Sequence, residues 1–514
     1  MLQSGDFFTV FSAPMTFLLA LSSLLSRLLG VFRNHALADS FGATELSDAY
    51  FAAFQVPDTL YRLLVFGAIS ASFVPLFLGL QKKDPQKAQE FVSSVMNGFL
   101  IFITVISIVV FFFAEPFVEQ LYPAFTAENQ QQTVELLRIM LLSPLFFTCS
   151  SLFAGIQNAF RTFWGYALAP IVYNIGIIFG ILFLAPTYGI NGVAYGVVLG
   201  AFFHAAVQLF PALKLGFTWR PTLHWSPEFK KLLITAIPRI LSMASFQVNF
   251  FIEGVIATLL FAGNLTVLRY AQDIQSFPIG IIGISIAVAS FSILSHFVID
   301  EEHLKLSAYL RDKLDHLFLL MIPAAFGLYV LRTPIVKLIL EGGVFDAEAV
   351  MLTSNTLAYL CIGLVAAAVM PLVTRVFFAF HDTIRPFYVM LVTVIANTIL
   401  AWYLSQSMGV IGIGLSSSIT STISVILLIW ILTKKYLKGH SFFPVKNTAI
   451  FLVGASVMTF LLTHISNSFT YSEGTLMLIG QIILMTALGA VIYAAVVFIF
   501  LRNRLFELLR TLGK

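Results

Sequence analysis

The chain repeats itself, and both copies are built of apolar runs long enough to cross a bilayer. YGINGVAYG (188–196) aligns with MGVIGIGLS (408–416), setting Gly189 on Gly409 and Gly192 on Gly412. At the same offset AFRTF (159–163) falls on AFHDT (379–383). FQVPDTLYRLLVFGAISASF (54–73) falls on IQSFPIGIIGISIAVASFSI (274–293), bringing Pro57 to within one residue of Pro278. Two similar hydrophobic halves suit a carrier that rocks one half against the other around a central site. Transport is therefore the first function class to consider.

Composition agrees. Of 514 residues 59% are hydrophobic and only 11% charged, against about 25% charged in a soluble protein. Mean hydropathy is +0.93. The net charge of +4 sits in loops, which reads as membrane topology and not as nucleic-acid binding. The two cysteines, Cys149 and Cys361, lie in apolar segments, so neither a disulfide framework nor a thiolate metal site is supported. The N-terminus has no basic n-region and no cleavage pattern, and its first apolar stretch is expected to be a retained helix.

Fourteen helices are predicted, at about 7–31, 46–80, 88–113, 133–158, 163–185, 189–213, 229–260, 264–297, 304–331, 348–379, 384–405, 410–433, 446–466 and 475–501. Pro57, Pro144, Pro238, Pro278 and Pro371 fall inside them, where kinks are expected. Loops after the second, sixth, eighth and twelfth helices are basic, with Lys82, Lys83, Lys87, Lys214, Arg220, Lys305, Arg311, Lys434 and Lys435 among their residues. The loop 114–132 carries Glu115, Glu119 and Glu128 without a Lys or Arg. The positive-inside rule then places both termini in the cytoplasm. The expected fold is an all-α polytopic membrane protein of about fourteen transmembrane helices. Residues 1–222 and 223–444 would be two parallel six-helix repeats, and 445–514 an added helix pair and tail.

Ionisable residues within the spans concentrate in repeat-equivalent helices. The first two and their junction carry Arg27, Arg33, Asp48, Asp58 and Arg62; the seventh and eighth carry Arg239, Glu253, Arg269 and Asp273. Asp48, Gln55, Asp58 and Arg62 share one helical face, and Arg269 and Asp273, four apart, share another. A lipid-facing Arg near mid-membrane costs about 2.5–3.5 kcal/mol, so Arg62, Arg239 and Arg269 together approach about 10 kcal/mol. These stripes are expected to face a wet interior cavity. The plainer alternative is that they bind helices together, snorkel, or neutralise one another in the pairs Asp58–Arg62 and Arg269–Asp273. Several arginines in a mixed-charge site suit a bulky anionic substrate, since guanidinium binds phosphate bidentately. Between 450 and 500 only His464 and Glu473 are ionisable, so the last two helices either form a groove for a lipid tail or simply complete the bundle.

Other chemistry is missing. There is no Walker A sequence, no HExxH and no GxSxG. His381–Asp382 is expected to shape a turn. Glycines such as Gly189, Gly192, Gly196 and Gly200 suit close helix packing. No cofactor or metal is implied, and the sequence identifies no coupling ion.

LSRLLGVFRNHALADSFGATELSDAYFAAFQVPDTLYRLLVFGAISASFVPLF, from Leu25, resembles the opening of the MurJ/MviN lipid II flippase family. SFPIGIIGISIAVASFSILS (276–295) and AFHDTIRP (379–386) are similar to later motifs of that family, in the same order. The resemblance implies an exporter of the multidrug/oligosaccharidyl-lipid/polysaccharide superfamily, resident in the bacterial cytoplasmic membrane. It implies movement of undecaprenyl-pyrophosphate-linked disaccharide-peptide (lipid II) to the outer leaflet by alternating access. It further implies a cavity lined by helices 1, 2, 7 and 8, with Arg27, Arg33, Asp48 and Arg62 at the positions that matter, and a tail groove on the last two helices. The chain departs from the family at Tyr61, Phe66 and Asp273, where many members have Arg, Glu and Arg.

The expected partners are lipid II or a related polyprenyl-pyrophosphate glycolipid and membrane lipids, with no nucleic acid; a monomer is expected. Rival readings are a flippase for another polyprenyl-linked oligosaccharide, a drug/cation antiporter of like architecture, a membrane enzyme acting on prenyl phosphates, and a non-transporting scaffold.

Overall fold

A bilayer core offers no water to backbone N–H and C=O groups, so apolar runs must pair them internally as helices. The computed structural model describes residues 13–221, 225–467, 471 and 474–512, and the fourteen predicted segments fall mainly on helix wherever they are described. The first half comprises α1 (Ala13–Phe41), α2 (Glu45–Leu60), α3 (Gly67–Lys83), α4 (Pro85–Phe112), α5 (Ala114–Leu121) and α6 (Ala127–Met140). It continues with α7 (Ser143–Ala159), α8 (Trp164–Phe179), α9 (Ala185–Tyr188) and α10 (Ile190–Lys214). The second comprises α11 (Pro227–Thr258), α12 (Asn264–Pro278), α13 (Ser285–Ile299), α14 (His303–Leu340), α15 (Ala347–Ile362) and α16 (Leu364–Ala379). After α17 (Ile384–Met408) and α18 (Val410–Lys435) come α19 (Val445–Asn467) and α20 (Thr475–Leu512).

Among the described residues ten helices are long and apolar enough to cross a membrane, or eleven if α15 and α16, bent by 47°, form one span. The helices of the first, second and seventh predicted segments are not among them. Each of those three helices includes residues whose side chains lie outside the described residues. The protein is an all-helical polytopic membrane protein, and its surface chemistry is inverted relative to a soluble one. Ile399, Tyr403 and Phe460 are exposed, whereas Thr353, Thr356, Ser416 and Gln157 are buried between helices.

Several boundaries differ from the sequence reading, α14 and α20 among them, which run on to Leu340 and Leu512. Two more concern the first half: the first helix runs ten residues past the predicted end, to Phe41, and most of the supposed loop 114–132 is helical as α5 and the start of α6. Thr126 explains the second case: its side chain accepts a hydrogen bond from Asn129 N at 3.2 Å and caps α6. Pro144 lies in the first turn of α7, just after the break between Met140 and Ser143 that divides the span Ala127–Ala159.

The repeat persists in the backbone. Gly189 and Gly409 both have positive φ, 58° and 61°, in the turn between the fifth and sixth helices of their halves. Space surrounds each position, so backbone conformation calls for glycine there, and at Gly189 it replaces the close helix packing expected from the sequence. Arg161 and His381, also aligned, share a φ of 56°. Shortly after Pro57 and Pro278 each helix passes through one π-helical turn, Tyr61–Phe66 and Ile279–Ile284. Such turns re-aim side chains and cluster at functional sites.

The chain divides into two compact units. The first takes residues 1–247, Phe261–Gly263 and Gly342–Phe345. Its core includes Phe73, Phe77, Phe91, Phe99 and Phe229, with Phe73 stacked on Phe77 and Phe91. Phe229, Leu232 and Ala236 carry the start of α11 into that core, so the unit extends well past residue 222. Short segments fasten to it as well. Val344 N donates to Asp39 O at 2.9 Å, and Gly263 N to the buried Asp48 carboxylate at 2.7 Å. In the second unit, α19 and α20 bring Phe451, Met458, Leu462 and Tyr493 against Leu314, Leu317 and Met321 of α14.

Candidate substrate-binding surface

In the first unit the polar stripe of α2 divides in two. Asp48 and Gln55 are buried, and Asp48 anchors Gly263. Asp58 and Arg62 remain accessible, with side-chain exposures of 23% and 56%. Arg62 Nε donates to Asp58 Oδ2 at 2.7 Å, one helical turn back across the start of the π turn. The two terminal nitrogens of Arg62 make no hydrogen bond among the described residues. The carboxylate therefore fixes the guanidinium plane and leaves the edge that binds phosphate bidentately open.

Arg33 of α1 is held differently. Its Nε and Nη2 donate to Asn34 Oδ1 at 3.1 and 2.8 Å, and Nη1 donates to Asn174 Oδ1 of α8 at 3.3 Å. Asn174 is itself fixed, donating to Ser26 O at 3.2 Å and Pro170 O at 3.0 Å. Every one of these acceptors is neutral, so Arg33 keeps its full positive charge while its orientation is set. Arg27 is half-buried one and a half turns away on the same helix.

The second unit turns its charges inward. Glu253 of α11 is 2% exposed. Its Oε1 accepts from Asn249 at 2.9 Å, from Asn397 of α17 at 2.7 Å and from Ser417 of α18, and its Oε2 accepts from Gln272 of α12 at 2.8 Å. Arg269 is also buried; its guanidinium lies 3.5 Å over the Phe250 ring and donates to Phe250 O and Gln272 Oε1. Asp273 is half-buried. Arg239 lies on α11, but its side chain is outside the described residues. Among the described residues no group of three or more His, Cys, Asp or Glu could hold a metal ion.

At the repeat offset Arg33 and Glu253 occupy the same place in the two halves, and each is held by an asparagine from the fifth helix of its half. The halves thus place a guanidinium and a carboxyl group in one architectural position: half-buried in the first, buried and fully hydrogen-bonded in the second. Asn174 and Asn397 escaped the sequence reading, which followed ionisable side chains and, of the amides, Gln55. Lone asparagines in apolar spans were the available signal.

Outside the spans, Asp382 orders the turn after α16. Its Oδ2 accepts from Arg385 Nη1 at 2.5 Å and from the Tyr436 hydroxyl, and Tyr436 stacks on Phe380 at 4.3 Å. Burial alone would raise the Asp382 carboxyl, but hydrogen bonds from Tyr436 and Arg385 outweigh it and hold it below the usual range. Burial and the neighbouring carboxylate push the Tyr436 phenol up to about 12. A depressed carboxyl stabilises the fold above its unfolded-state value near pH 4, and that contribution vanishes as pH falls through the folded value. Asp382→Asn is accordingly expected to lower the melting temperature in detergent, by about 2 °C or more. The gap from the parent protein should stay constant from pH 8 to about pH 5 and close below about pH 4.

Comparison with known proteins gives this geometry a family. A profile described as "Lipid II flippase MurJ" matches residues 37–480. The lipid II flippase MurJ of Burkholderia cenocepacia is 27% identical, over 80% of this chain and 82% of that one. The probable lipid II flippase MurJ of Rickettsia prowazekii is 26% identical, over 93% and 95%. A solved structure, "Lipid II flippase MurJ, inward closed conformation", superposes with a TM-score of 0.81 at 26% identity, covering 95% of this chain and all of that one. An inward-facing MATE multidrug transporter shares the fold, with a TM-score of 0.65 at 16% identity over 82% of this chain and 96% of its own. The chain belongs to the lipid II flippase MurJ family, a family of transporters and not of enzymes.

Proposed function

We propose that the chain carries lipid II from the cytoplasmic to the outer leaflet of the bacterial cytoplasmic membrane, gripping the pyrophosphate with Arg33 and Arg62. The observation that carries this reading is the state of those two arginines. Arg33 is oriented by neutral amides alone, and Arg62 is pinned through Nε with its outer edge open. A pyrophosphate diester presents two anionic groups a few ångströms apart, which suits two oriented, incompletely neutralised guanidinium groups. Arg27 adds a third positive charge on the same helix.

In this reading fourteen helices cross the membrane and both termini are cytoplasmic, as the basic loops favour. The two repeated halves rock so that the headgroup surface opens to one leaflet and then the other. The prenyl tail stays in lipid beside α19 and α20, whose faces carry exposed Phe460, Ile483 and Val491. Glu253, Arg269, Asp48 and Gln55 hold helices in place, and Arg33, Asp58 and Arg62 meet substrate. The test is the leaflet in which lipid II resides when this chain is the cell's sole flippase.

A further inference from the structure

Beside its two arginines the first unit gathers four rings from four helical segments. Phe147 of α7 lies at the centre. The Tyr61 ring, on the π turn, is 4.8 Å from it and 31° from parallel. Tyr173 of α8 meets Phe147 edge-on at 5.1 Å, and His204 of α10 does so at 5.2 Å. Tyr61 and His204 are tied at their polar ends, to Ser151 Oγ at 3.0 Å and Ser150 Oγ at 2.7 Å. Tyr173 is not. It is half-buried, its hydroxyl makes no hydrogen bond among the described residues, and it lies within electrostatic reach of Tyr50, Arg33, Asp58 and Arg62.

The repeated fold does not require these rings. At the repeat offset Tyr61 corresponds to Ile281, Phe147 to Ala367, Tyr173 to Thr393 and His204 to Ser424. The second half has no aromatic ring at any of these positions, and Thr393 and Ser424 hydrogen-bond there at 2.8 Å. Four rings in one half only, at the edge of its accessible arginines, call for a reason other than packing.

We propose that Tyr61, Phe147 and Tyr173 form a sugar subsite, which takes the pyranose ring joined directly to the pyrophosphate. This rests on the lipid II reading above. In a glycosyl pyrophosphate the first ring is attached through a single oxygen to phosphorus, so it must sit beside whatever holds the phosphates. Tyr61 is the chain neighbour of Arg62, and Tyr173 is the neighbour of Asn174, which holds Arg33. A hexopyranose has an apolar face of C–H bonds that packs on aromatic rings, with hydroxyl and acetamido groups at its rim. The free Tyr173 hydroxyl and the partly exposed Asp58 carboxylate supply rim partners.

Binding of two ligands to the full-length protein in lipid nanodiscs tests the proposal: lipid II, and undecaprenyl pyrophosphate, which has the tail and phosphates but no sugar. Tyr173→Leu is expected to weaken lipid II about tenfold and to leave undecaprenyl pyrophosphate within about twofold. Arg62→Ala is expected to weaken both. Retained binding of the sugar-free lipid also reports that the variant is folded. If Tyr173→Leu loses both ligands, Tyr61→Leu decides in the same assay. Equal losses for the two ligands in both variants, or unchanged lipid II affinity, would overturn the sugar subsite. Parent protein that binds neither ligand would instead overturn the lipid II reading itself.

Discussion

Replacing Arg62 by alanine is expected to abolish growth of a strain that depends on this chain for lipid II transport, whereas Arg138→Ala should leave growth intact. Both arginines lie in or near spans, and both have a carboxylate partner. Their surroundings differ. Arg138 is engaged by Glu115 at 3.2 Å, by Phe111 O at 3.2 Å and by the Phe111 ring at 5.2 Å. Arg62 uses Nε alone and keeps its outer nitrogens open. Losing a bidentate charged contact to pyrophosphate removes about 1.5–3 kcal/mol per hydrogen bond, which is a binding loss of about 10- to 100-fold for each. Arg62→Lys keeps the charge but not the planar fork, so partial growth is expected. Comparable amounts of each variant in the membrane are the necessary control. Equal tolerance of Arg62→Ala and Arg138→Ala would contradict the assignment.

The second large effect is on stability. Glu253→Leu is expected to destabilise the protein by about 3 kcal/mol or more, measured as earlier unfolding on heating or in denaturant. The carboxylate gathers donors from Asn249, Asn397, Ser417 and Gln272, contributed by four helices. A leucine leaves those donors without their acceptor, and Asn397 among them is buried. Glu253→Gln retains one carbonyl oxygen and the side-chain shape, so its loss should be smaller. Unchanged unfolding of the Glu253→Leu protein would mean that the network contributes nothing to holding α11, α12, α17 and α18 together.

The spans were legible in the sequence because an apolar run of bilayer length has one folded solution, and the repeat was legible because its turns need particular residues. Gly189 and Gly409 are the clearest case, with matching positive φ. The division near residue 247 was not legible. The stretch around 222 reads as a linker, but Phe229 and Leu232 return the next helix to the first core, and only three-dimensional packing shows that. Arg62 could be singled out because a charge in an apolar span is conspicuous. Glu253 and Arg269 were equally conspicuous, and their burial depended on Asn397, Ser417 and Phe250, partners that no local pattern announces. Tyr173 and Phe147 were invisible for the opposite reason: an aromatic residue in an apolar helix looks like any lipid-facing ring.

The central claim is that this chain moves lipid II across the membrane by its headgroup. The most direct measurement is the fraction of lipid II open to a membrane-impermeant headgroup-cleaving enzyme added outside cells that have this chain as sole flippase. With the parent protein a substantial fraction should be cleaved. On depletion, or with Arg62→Ala in its place, cleavage should fall to the level of cells without a flippase while total lipid II rises. Cleavage that stays unchanged on depletion would contradict the account.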